Sequence, residues 1–260
     1  MDSMASSRNL DSWLGYISEQ HTDVIDMGLQ RFNQVLDQLQ PHKPAPTVIT
    51  VAGTNGKGTT CRMIEALLLQ GGYRVGTTLS PHIWRFNERI RLHGHDAGDD
   101  EICAAFAAID EARGDVALTY FEFSALAALY CMAQAQVDVA ILEIGLGGRL
   151  DAFNAIDPDI AVITSIGLDH QAFLGDTREA IGAEKAGILR SGQHVVLGQN
   201  MPSSVLQRCE ELSLKPRCWG TDFSSASDID QGTWQLSRQS QASLEIPLTA
   251  IAPHNIALAC

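Results

Sequence analysis

Short apolar runs alternate with amphipathic segments along most of the chain. The runs "TVITVA" (47–52), "VDVAILE" (137–143) and "PDIAVIT" (158–164) are rich in β-branched and apolar residues. Such runs are typical of strands that are buried on both faces of a sheet. Segments between them, such as "CRMIEALLLQ", "DDEICAAFAAIDEARG" and "YFEFSALAALYCMAQAQ", have the spacing of helices. The alternation predicts an α/β fold, with a parallel sheet flanked by helices.

The pattern changes at about Pro202. Beyond it, "KPRCWG", "GTWQLSRQ" and "ASLEIPL" alternate polar and apolar residues and are separated by Gly, Ser and Asp. These segments predict short strands. Residues 202–252 are therefore interpreted as a small β-rich appendage of a domain whose core is residues 1–201. The closing sequence "APHNIALAC" has the pattern of the first turn of another helix.

Composition argues against several classes of partner. The chain has 260 residues, of which 45% are hydrophobic, which is sufficient for one full hydrophobic core. A formal net charge of -13 argues against a nucleic-acid partner, because such binding depends on cations that neutralise phosphates. No apolar run reaches the ~18 residues that a membrane span needs. The cysteines form no C-x-x-C pair and no signal pattern precedes them, so we predict reduced thiols in a cytoplasmic protein.

The stretch "VITVAGTNGKGTT" (48–60) lies between a predicted strand and a predicted helix. It is similar to a phosphate-binding loop (P-loop), but its spacing differs from the common G-x-x-x-x-G-K-[ST] sequence. Only two residues separate Gly53 from Gly56, and Gly58 follows Lys57 directly. A glycine cluster at such a junction could also be a tight turn without a ligand. The strand–loop–helix context favours a phosphate site.

Backbone N–H groups are the expected anion ligands of this loop. Those of residues 53–58, together with the positive end of the following helix, would surround a phosphate group. Lys57 would then contact the β- or γ-phosphate, and Thr59 or Thr60 would offer a hydroxyl group to Mg²⁺. The loop therefore predicts a nucleoside triphosphate as the ligand.

Two side chains lie just past the ends of predicted strands, where α/β folds bind ligands. Glu143 ends the strand "VDVAILE", and His170 follows the strand in "TSIGLDHQAFLG". Each could be a solvated or satisfied residue, but their similar placement near a phosphate loop favours a metal or nucleotide role. Lys185, on a small-residue helix, and Ser80, before Pro81, would alone be interpreted as a surface charge and a turn cap.

Six segments together resemble one known family. They are "VAGTNGKGTT", "LSPHIWRFNERIRLHG", "YFEFSALAAL", "ILEIGLGGRLDAFNA", "TSIGLDHQAFLG" and "EKAGI". In this order, between about Trp13 and Pro202, the sequence is similar to the folylpolyglutamate synthase/dihydrofolate synthase family of the Mur ligase superfamily. Cell-wall Mur ligases place Thr directly after the loop lysine, so Gly58 favours the folate branch.

The resemblance implies an ATP- and Mg²⁺-dependent carboxylate–amine ligase. In that family ATP phosphorylates a carboxylate to an acyl phosphate, and the amine of L-glutamate attacks it to form an amide. The substrates would be dihydropteroate, in the dihydrofolate synthase reaction, and the glutamate tails of reduced folates, in the folylpolyglutamate synthase reaction. The protein would be a monomer with small-molecule partners and without nucleic-acid or membrane partners.

The resemblance also implies roles for particular residues. Nucleotide contacts are implied for Gly53, Thr54, Asn55, Gly56, Lys57, Gly58, Thr59, Thr60 and Asn255. Two Mg²⁺ ions would be held by Ser80, Glu143, His170 and Lys185, the second ion through a carbamylated Lys185. Catalytic roles are implied for Lys57, Lys185 and His170. Dihydropteroate contacts are implied for Ile25, Asp26, Met27, Thr119, Tyr120, Phe121, Glu122, Leu150, Asp151 and Ala152.

The segment "DVIDMGLQRF" (23–32) is more similar to bifunctional members than to synthases that only lengthen glutamate tails. Family members continue into a second α/β domain, and residues 253–260 match the start of the segment that leads to it. We expect that domain to be absent here, and no folate product from the isolated chain. A cell-wall Mur-type amino-acid ligase and a truncated, non-catalytic fragment that binds nucleotide or pterin stay open as alternatives.

Overall fold

The structure is a computed structural model, and it describes residues 8–20, 27–39, 43–228, 232–239, 243–247 and 251–260. The helices are α1 Leu10–Ser18, α2 Gln30–Leu36, α3 Lys57–Gln70, α4 Asp99–Arg113, α5 Tyr120–Gln134, α6 Gln171–Leu174, α7 Arg178–Lys185, α8 Ser203–Glu211 and α9 Pro253–Ala259. The strands are β1 Thr47–Ala52, β2 Val75–Thr78, β3 Ile90–Leu92, β4 His95–Asp96, β5 Val139–Glu143, β6 Ile160–Ile163, β7 His194–Leu197, β8 Arg217–Cys218, β9 Phe223–Asp228, β10 Thr233–Arg238 and β11 Leu244–Pro247.

The main sheet has eight strands in the order β4-β3-β2-β5-β1-β6-β7-β8. Neighbours from β2 to β8 in this order are parallel, whereas β3 pairs in the antiparallel sense with both β2 and β4. At the centre, Thr50 of β1 lies opposite Leu142 of β5 and Ala161 of β6. A second, antiparallel sheet of β9, β10 and β11 lies near the C-terminus. The predicted α/β fold with a parallel sheet and a small β-rich addition is confirmed.

Helices pack on both faces of the main sheet, because its strands direct apolar side chains toward two cores. In β1, Val48 belongs to the core formed with α1, α2, α4, α5, α7 and α8, whereas the next residue, Ile49, belongs to the core formed with α3 and α9. The small sheet contributes Phe223 and Leu236 to this second core. The sheet is therefore the middle layer of three, and the continuous apolar pattern of its strands follows from burial on both sides.

The region that begins at Pro202 differs in part from the prediction. Helix α8 packs on α7, and β8 pairs in parallel with β7 as the last strand of the main sheet. The separate sheet begins only at Phe223, so the prediction of a β-rich appendage is wrong for the first part of this region. The helix was missed because it is short and buries only Val205 and Cys209, too few positions to establish a helical period.

The parallel strands bring four loops to one edge of the main sheet. The carboxyl end of β1 leads into residues 53–56, that of β2 leads to Ser80, and that of β6 leads into residues 164–167. Glu143 is the last residue of β5. Open α/β sheets bind ligands in the crevice outside the carboxyl ends of their strands. The candidate residues of the sequence analysis are therefore collected where this fold places its chemistry.

The described helices and the cysteines bear on the predictions about membrane spans and thiols. Within the described ranges, no helix is both long and apolar enough to cross a bilayer. All six cysteines are free thiols, and Cys61 and Cys131 are buried. Burial raises the pKa of Cys131 to about 12, so this side chain stays a neutral thiol that packs as a small apolar residue.

Candidate functional site

The loop after β1 requires glycine at two positions. Gly56 precedes α3 with φ +83°, and a Cβ atom there would lie 2.5 Å from Oδ1 of Asn255 in α9. At Gly53, with φ +147°, a Cβ atom would lie 1.9 Å from Oγ1 of Thr164. L-residues rarely adopt these φ values, and real Cβ atoms do not approach other atoms so closely. The glycines of the predicted phosphate loop are therefore required by its shape.

A second loop, after β6, holds the phosphate loop in place. The Thr54 N–H donates to the Ser165 carbonyl at 2.8 Å, and the Gly167 N–H donates to the Thr54 hydroxyl at 3.0 Å. The Thr164 hydroxyl donates to the Asn55 carbonyl at 2.7 Å. Sequence analysis did not assign this second loop to the site. The sequence feature that could have indicated it is the position of "TSIG" directly after a buried strand, where α/β folds bind ligands.

Lys57 is the first residue of α3, and its side chain lies back over the loop. Its Nζ donates to the carbonyls of Gly53 at 3.0 Å and Thr54 at 3.3 Å. The amine therefore stands beside the N-terminus of α3, where free N–H groups and the helix dipole favour an anion. Thr59 is exposed, whereas Thr60 is fully buried and its hydroxyl has no partner among the described residues. Of the two candidate hydroxyl groups, that of Thr59 faces solvent.

We expect Gly56→Ala to destabilise the protein more than Gly72→Ala does. The two glycines have nearly equal φ values, +83° and +84°, but a Cβ atom at Gly72 meets nothing within 4 Å, whereas one at Gly56 meets the buried Asn255. Each alanine variant is expected to lose about 1–2 kcal/mol of unfolding free energy, because alanine is strained in the left-handed backbone conformation. At position 56 the steric contact with Asn255 adds about 1–3 kcal/mol to this loss. Urea denaturation measures both free energies of unfolding. Equal losses, or no recovery when Asn255→Ala is added to Gly56→Ala, would contradict the steric explanation.

Glu143 is a buried carboxylate beside the phosphate loop. Its Oε2 atom accepts a hydrogen bond from the Ser80 N–H at 2.8 Å, and the residue is only 4% exposed. Burial raises its pKa, while the Ser80 N–H and the charge of Lys57 oppose that shift. A Cβ atom at Gly58 would lie 3.4 Å from Oε1 of Glu143. The extra glycine of the loop therefore lets the first turn of α3 approach this carboxylate closely.

Glu143 also lines a cavity of about 390 Å³, called here the α3 cavity. Its lining residues are Gly58, Thr59, Arg62, Leu79, Ser80, Pro81, Ile83, Glu88 and Glu143. Mg²⁺ prefers oxygen ligands and is commonly held by one or two carboxylates together with substrate phosphates. The oxygens of Glu143, Ser80 and Thr59 fit that donor set. Among the described residues, no group of three or more His, Cys, Asp or Glu side chains converges. Substrate phosphate oxygens and water are the usual further ligands of Mg²⁺.

A second cavity, of about 260 Å³, is called here the α5 cavity. Its lining residues are Met27, Gly28, Ser80, Pro81, Arg89, Thr119, Phe121, Glu122, Gly145, Leu146, Leu150, Asp151, Ala152 and His170. Ser80 and Pro81 line both cavities. Seven of the ten residues with implied dihydropteroate contacts line the α5 cavity, Tyr120 does not, and Ile25 and Asp26 lie outside the described residues. The two cavities therefore adjoin at the end of β2.

The two carboxylates that line the α5 cavity are bound to protein groups. Oδ2 of Asp151 accepts hydrogen bonds from the N–H groups of Gly145 and Leu146, both at 3.0 Å. Oε2 of Glu122 accepts a hydrogen bond from Nε of Arg31 at 2.9 Å. Burial raises the pKa of Asp151 to about 6, although the backbone N–H groups oppose that shift. Both acids therefore help to fix the walls of the cavity.

His170 and Lys185 approach the same sheet edge from α6 and α7. His170 lines the α5 cavity with a side chain that is 51% exposed, and its Nε2 atom lies 3.7 Å from the Asp169 carboxylate. Lys185, at the end of α7, is only 4% exposed. Burial, followed by the nearby charge of Lys57, lowers the pKa of Lys185 to about 8. In the described structure the predicted metal ligands are neighbours at one sheet edge without forming a single cluster.

Comparison with known proteins agrees with this geometry. Residues 51–257 match the sequence profile of the Mur ligase middle domain. The chain belongs to the Mur ligase family. The resemblance found in the sequence is thereby confirmed at the level of the superfamily.

Relatives of this Mur ligase chain carry folate-related names. The dihydrofolate synthase/folylpolyglutamate synthase of Escherichia coli strain K12 is 46% identical over 252 residues, which cover 96% of this chain and 59% of the relative. The structure of E. coli FolC in complex with DHPP and ADP has a TM-score of 0.93 at 44% identity, covering 98% of this chain and 61% of that one. A bifunctional folylpolyglutamate synthase/dihydrofolate synthase with Mn, AMPPNP and L-glutamate bound has a TM-score of 0.89 at 42% identity, with coverage of 98% and 61%. The chain thus spans about 60% of the length of these relatives.

One residue of the candidate site in this Mur ligase chain was missed by sequence analysis. Arg89 is the one Lys or Arg side chain among the described residues that line the α5 cavity. Its Cζ atom lies 5.7 Å from the ring centroid of Tyr120 and 5.9 Å from that of Phe86. Burial lowers its pKa, but a guanidinium stays charged in proteins. The segment "RFNERI" contains two arginines, and the sequence alone does not indicate which of them lines a cavity and which lies on the surface.

Proposed function

We propose that this chain is the nucleotide- and pterin-binding part of an ATP-dependent ligase. The enzyme would add L-glutamate to dihydropteroate and to the glutamate tails of reduced folates. The observation that carries the proposal is the junction of the two cavities at Ser80 and Pro81. The α3 cavity adjoins the phosphate loop, and the α5 cavity contains Arg89 as its cation. A substrate carboxylate in one cavity would therefore meet a phosphate group at the other.

Phosphoryl transfer is the chemistry that fits this arrangement. The N–H groups of residues 53–58 and Lys57 would hold the triphosphate of ATP, and Asn255 would contact the nucleotide. Arg89 would bind the substrate carboxylate, whose oxygen attacks the γ-phosphorus atom as ADP leaves. The neutral amine of L-glutamate then attacks the carbonyl carbon of the acyl phosphate. The bond from this carbon to the phosphate oxygen breaks, phosphate leaves with the electron pair, and the nitrogen gives up its extra proton to the departing phosphate. The protein contributes mainly positioning and charge neutralisation.

A divalent metal ion has a suitable place beside this loop. Mg²⁺ would neutralise phosphate charge when bound. Glu143, Ser80 and Thr59 would provide the protein oxygens, in agreement with the donor chemistry of the α3 cavity. The relative described with Mn and AMPPNP bound supports a divalent metal together with a nucleotide.

A second ion would be held through a carbamylated Lys185, with His170 as a further ligand. Lys185 is almost fully buried and lies close enough to Lys57 for that charge to lower its pKa. An ammonium group would repel a metal ion at this place, whereas a carbamate carries the negative charge that attracts one. Carbamylation also requires a neutral amine, which burial favours. These features support a modified lysine.

The names of the relatives support the substrates. The E. coli relative is named for both synthase activities, and the FolC structure is described with DHPP and ADP. The bifunctional relative is described with L-glutamate bound. Seven residues with implied dihydropteroate contacts line one cavity here, which supports a pteroyl ligand. The monomeric state and the cytoplasmic location stay predictions.

Binding experiments distinguish this function from its alternatives. The purified chain would be titrated with ATP in the presence of Mg²⁺ by calorimetry, and with dihydropteroate by pterin fluorescence. We expect both to bind, and a UDP-linked cell-wall precursor to show no binding. Binding of the precursor without dihydropteroate would overturn the proposal in favour of a cell-wall Mur-type ligase. Binding of ATP and dihydropteroate without any dihydropteroate-dependent ADP formation would favour the non-catalytic alternative.

Arg89→Met is expected to weaken dihydropteroate binding by about tenfold, because it removes a charge-assisted contact to the carboxylate. Fluorescence titration measures the loss, and 6-hydroxymethylpterin, which lacks the carboxylate, is expected to bind as before. Arg85→Met is the matched control, since Arg85 lies in the same loop, is 68% exposed and pairs with Asp99. Equal weakening of both ligands by Arg89→Met would contradict the carboxylate role.

A further inference from the structure

His82 contacts Arg89 from the loop between β2 and β3. Its Nδ1 atom accepts a hydrogen bond from Nε of Arg89 at 2.7 Å. The His82 ring also lies on Phe86, with ring centroids 6.1 Å apart. Because Nε of Arg89 points to His82, the two terminal nitrogens of the guanidinium stay available for a planar, bidentate contact with a carboxylate.

The loop that carries His82 has a fixed backbone. The carboxylate of Glu88 accepts hydrogen bonds from three successive N–H groups of this loop, those of Ile83, Trp84 and Arg85, at 2.7, 2.9 and 2.8 Å. Glu88 is the acid adjacent to Arg89 in sequence, and these bonds occupy both of its oxygens. Among the described residues, Arg89 therefore faces the α5 cavity without a carboxylate partner.

The kind of partner that orients Arg89 matters for its charge. An arginine side chain has many accessible rotamers, so a directed contact needs a second group to fix the guanidinium. A carboxylate would fix it but would also neutralise it and compete with the substrate. A neutral imidazole nitrogen fixes the direction and leaves the whole positive charge for an incoming anion.

We propose that His82 is a positioning residue that orients Arg89 toward the substrate carboxylate without neutralising its charge. The inference rests on the proposed function, in which Arg89 binds that carboxylate. It predicts that His82 affects ligands with a carboxylate and leaves other pterins unaffected. It also predicts that any neutral acceptor at the place of Nδ1 can replace the imidazole.

Two variants of His82 test this role. The amide oxygen of Asn can occupy nearly the position of Nδ1 and accept the same hydrogen bond, whereas Leu fills the space without an acceptor. We expect His82→Leu to weaken dihydropteroate binding by roughly tenfold, and His82→Asn to bind it within about twofold of the parent. The carboxylate-free 6-hydroxymethylpterin is expected to bind all three proteins equally. Urea denaturation would establish that both variants are folded.

The outcomes separate this inference from the function on which it rests. If the parent binds dihydropteroate and His82→Leu binds it equally well, the positioning role is overturned and the proposed function stands. Equal weakening by the Asn and Leu variants would also overturn it, since the acceptor would then be irrelevant. Weakening of 6-hydroxymethylpterin to the same extent would assign His82 to the cavity wall instead. No binding of dihydropteroate by the parent would overturn both the proposed function and this inference.

Discussion

Lys57→Ala is expected to weaken the binding of ATP by about 10- to 100-fold. The amine lies over the phosphate loop, where it contacts the carbonyls of Gly53 and Thr54 beside the N-terminus of α3. A hydrogen bond to a charged group contributes about 1.5–3 kcal/mol, which corresponds to this range of affinity. Calorimetric titration with ATP and Mg²⁺ measures the change in the dissociation constant.

The matched control for this prediction is Lys215→Ala. Lys215 is an exposed lysine between α8 and β8, so its removal changes the net charge equally but lies outside the phosphate loop. We expect the control to bind ATP as the parent does. A folded Lys57→Ala protein with unchanged ATP affinity would remove the loop from the nucleotide site. Urea denaturation of both variants separates loss of binding from loss of folding.

Lys185→Ala is expected to abolish the carbamate and to reduce dihydropteroate-dependent ADP formation by at least about 100-fold. Loss of groups that merely support a metal ligand already costs about 10- to 100-fold in affinity or activity, and Lys185 would itself be a ligand. Carbon-13 NMR of protein equilibrated with labelled bicarbonate detects the carbamate directly. A coupled ADP assay measures the activity.

Lys185→Arg provides the sharper control for this modification. Arginine keeps the positive charge and much of the buried volume, but its guanidinium cannot form the carbamate. We expect it to lose both the NMR signal and the activity, and we expect short-chain carboxylic acids to restore part of the activity of Lys185→Ala. Full activity of Lys185→Arg, or of the parent after removal of bicarbonate, would show that the lysine acts unmodified.

The phosphate loop and the main sheet could be predicted from the sequence because local sterics and burial determine both. Gly53 and Gly56 are required by backbone angles and by close neighbours, and such requirements appear directly as glycine in the sequence. The strands β1, β5 and β6 are buried on both faces, so nearly every residue carries the signal.

Other parts of the site could not be predicted because they depend on contacts between side chains. The choice between Thr59 and Thr60 depends on the helical phase set where α3 begins, and that phase turns Thr60 into the core. The role of Arg89 depends on its having no carboxylate partner among the described residues and on the acceptor nitrogen of His82. Helix α8 was missed because it is too short to establish its own period. A strand was predicted in "KPRCWG", which contains β8, but its pairing with β7 in the main sheet was missed because a two-residue strand does not indicate its partner.

Both edge strands of the main sheet are only two residues long. β4 consists of His95 and Asp96, both exposed, and β8 consists of Arg217 and Cys218. A long, flat edge strand offers a row of free N–H and C=O groups on which another molecule can add a strand. Edges this short, with ionisable side chains at them, give an incoming chain few groups with which to pair. The extensive central sheet is therefore protected from templated, edge-to-edge aggregation during expression and concentration of the protein.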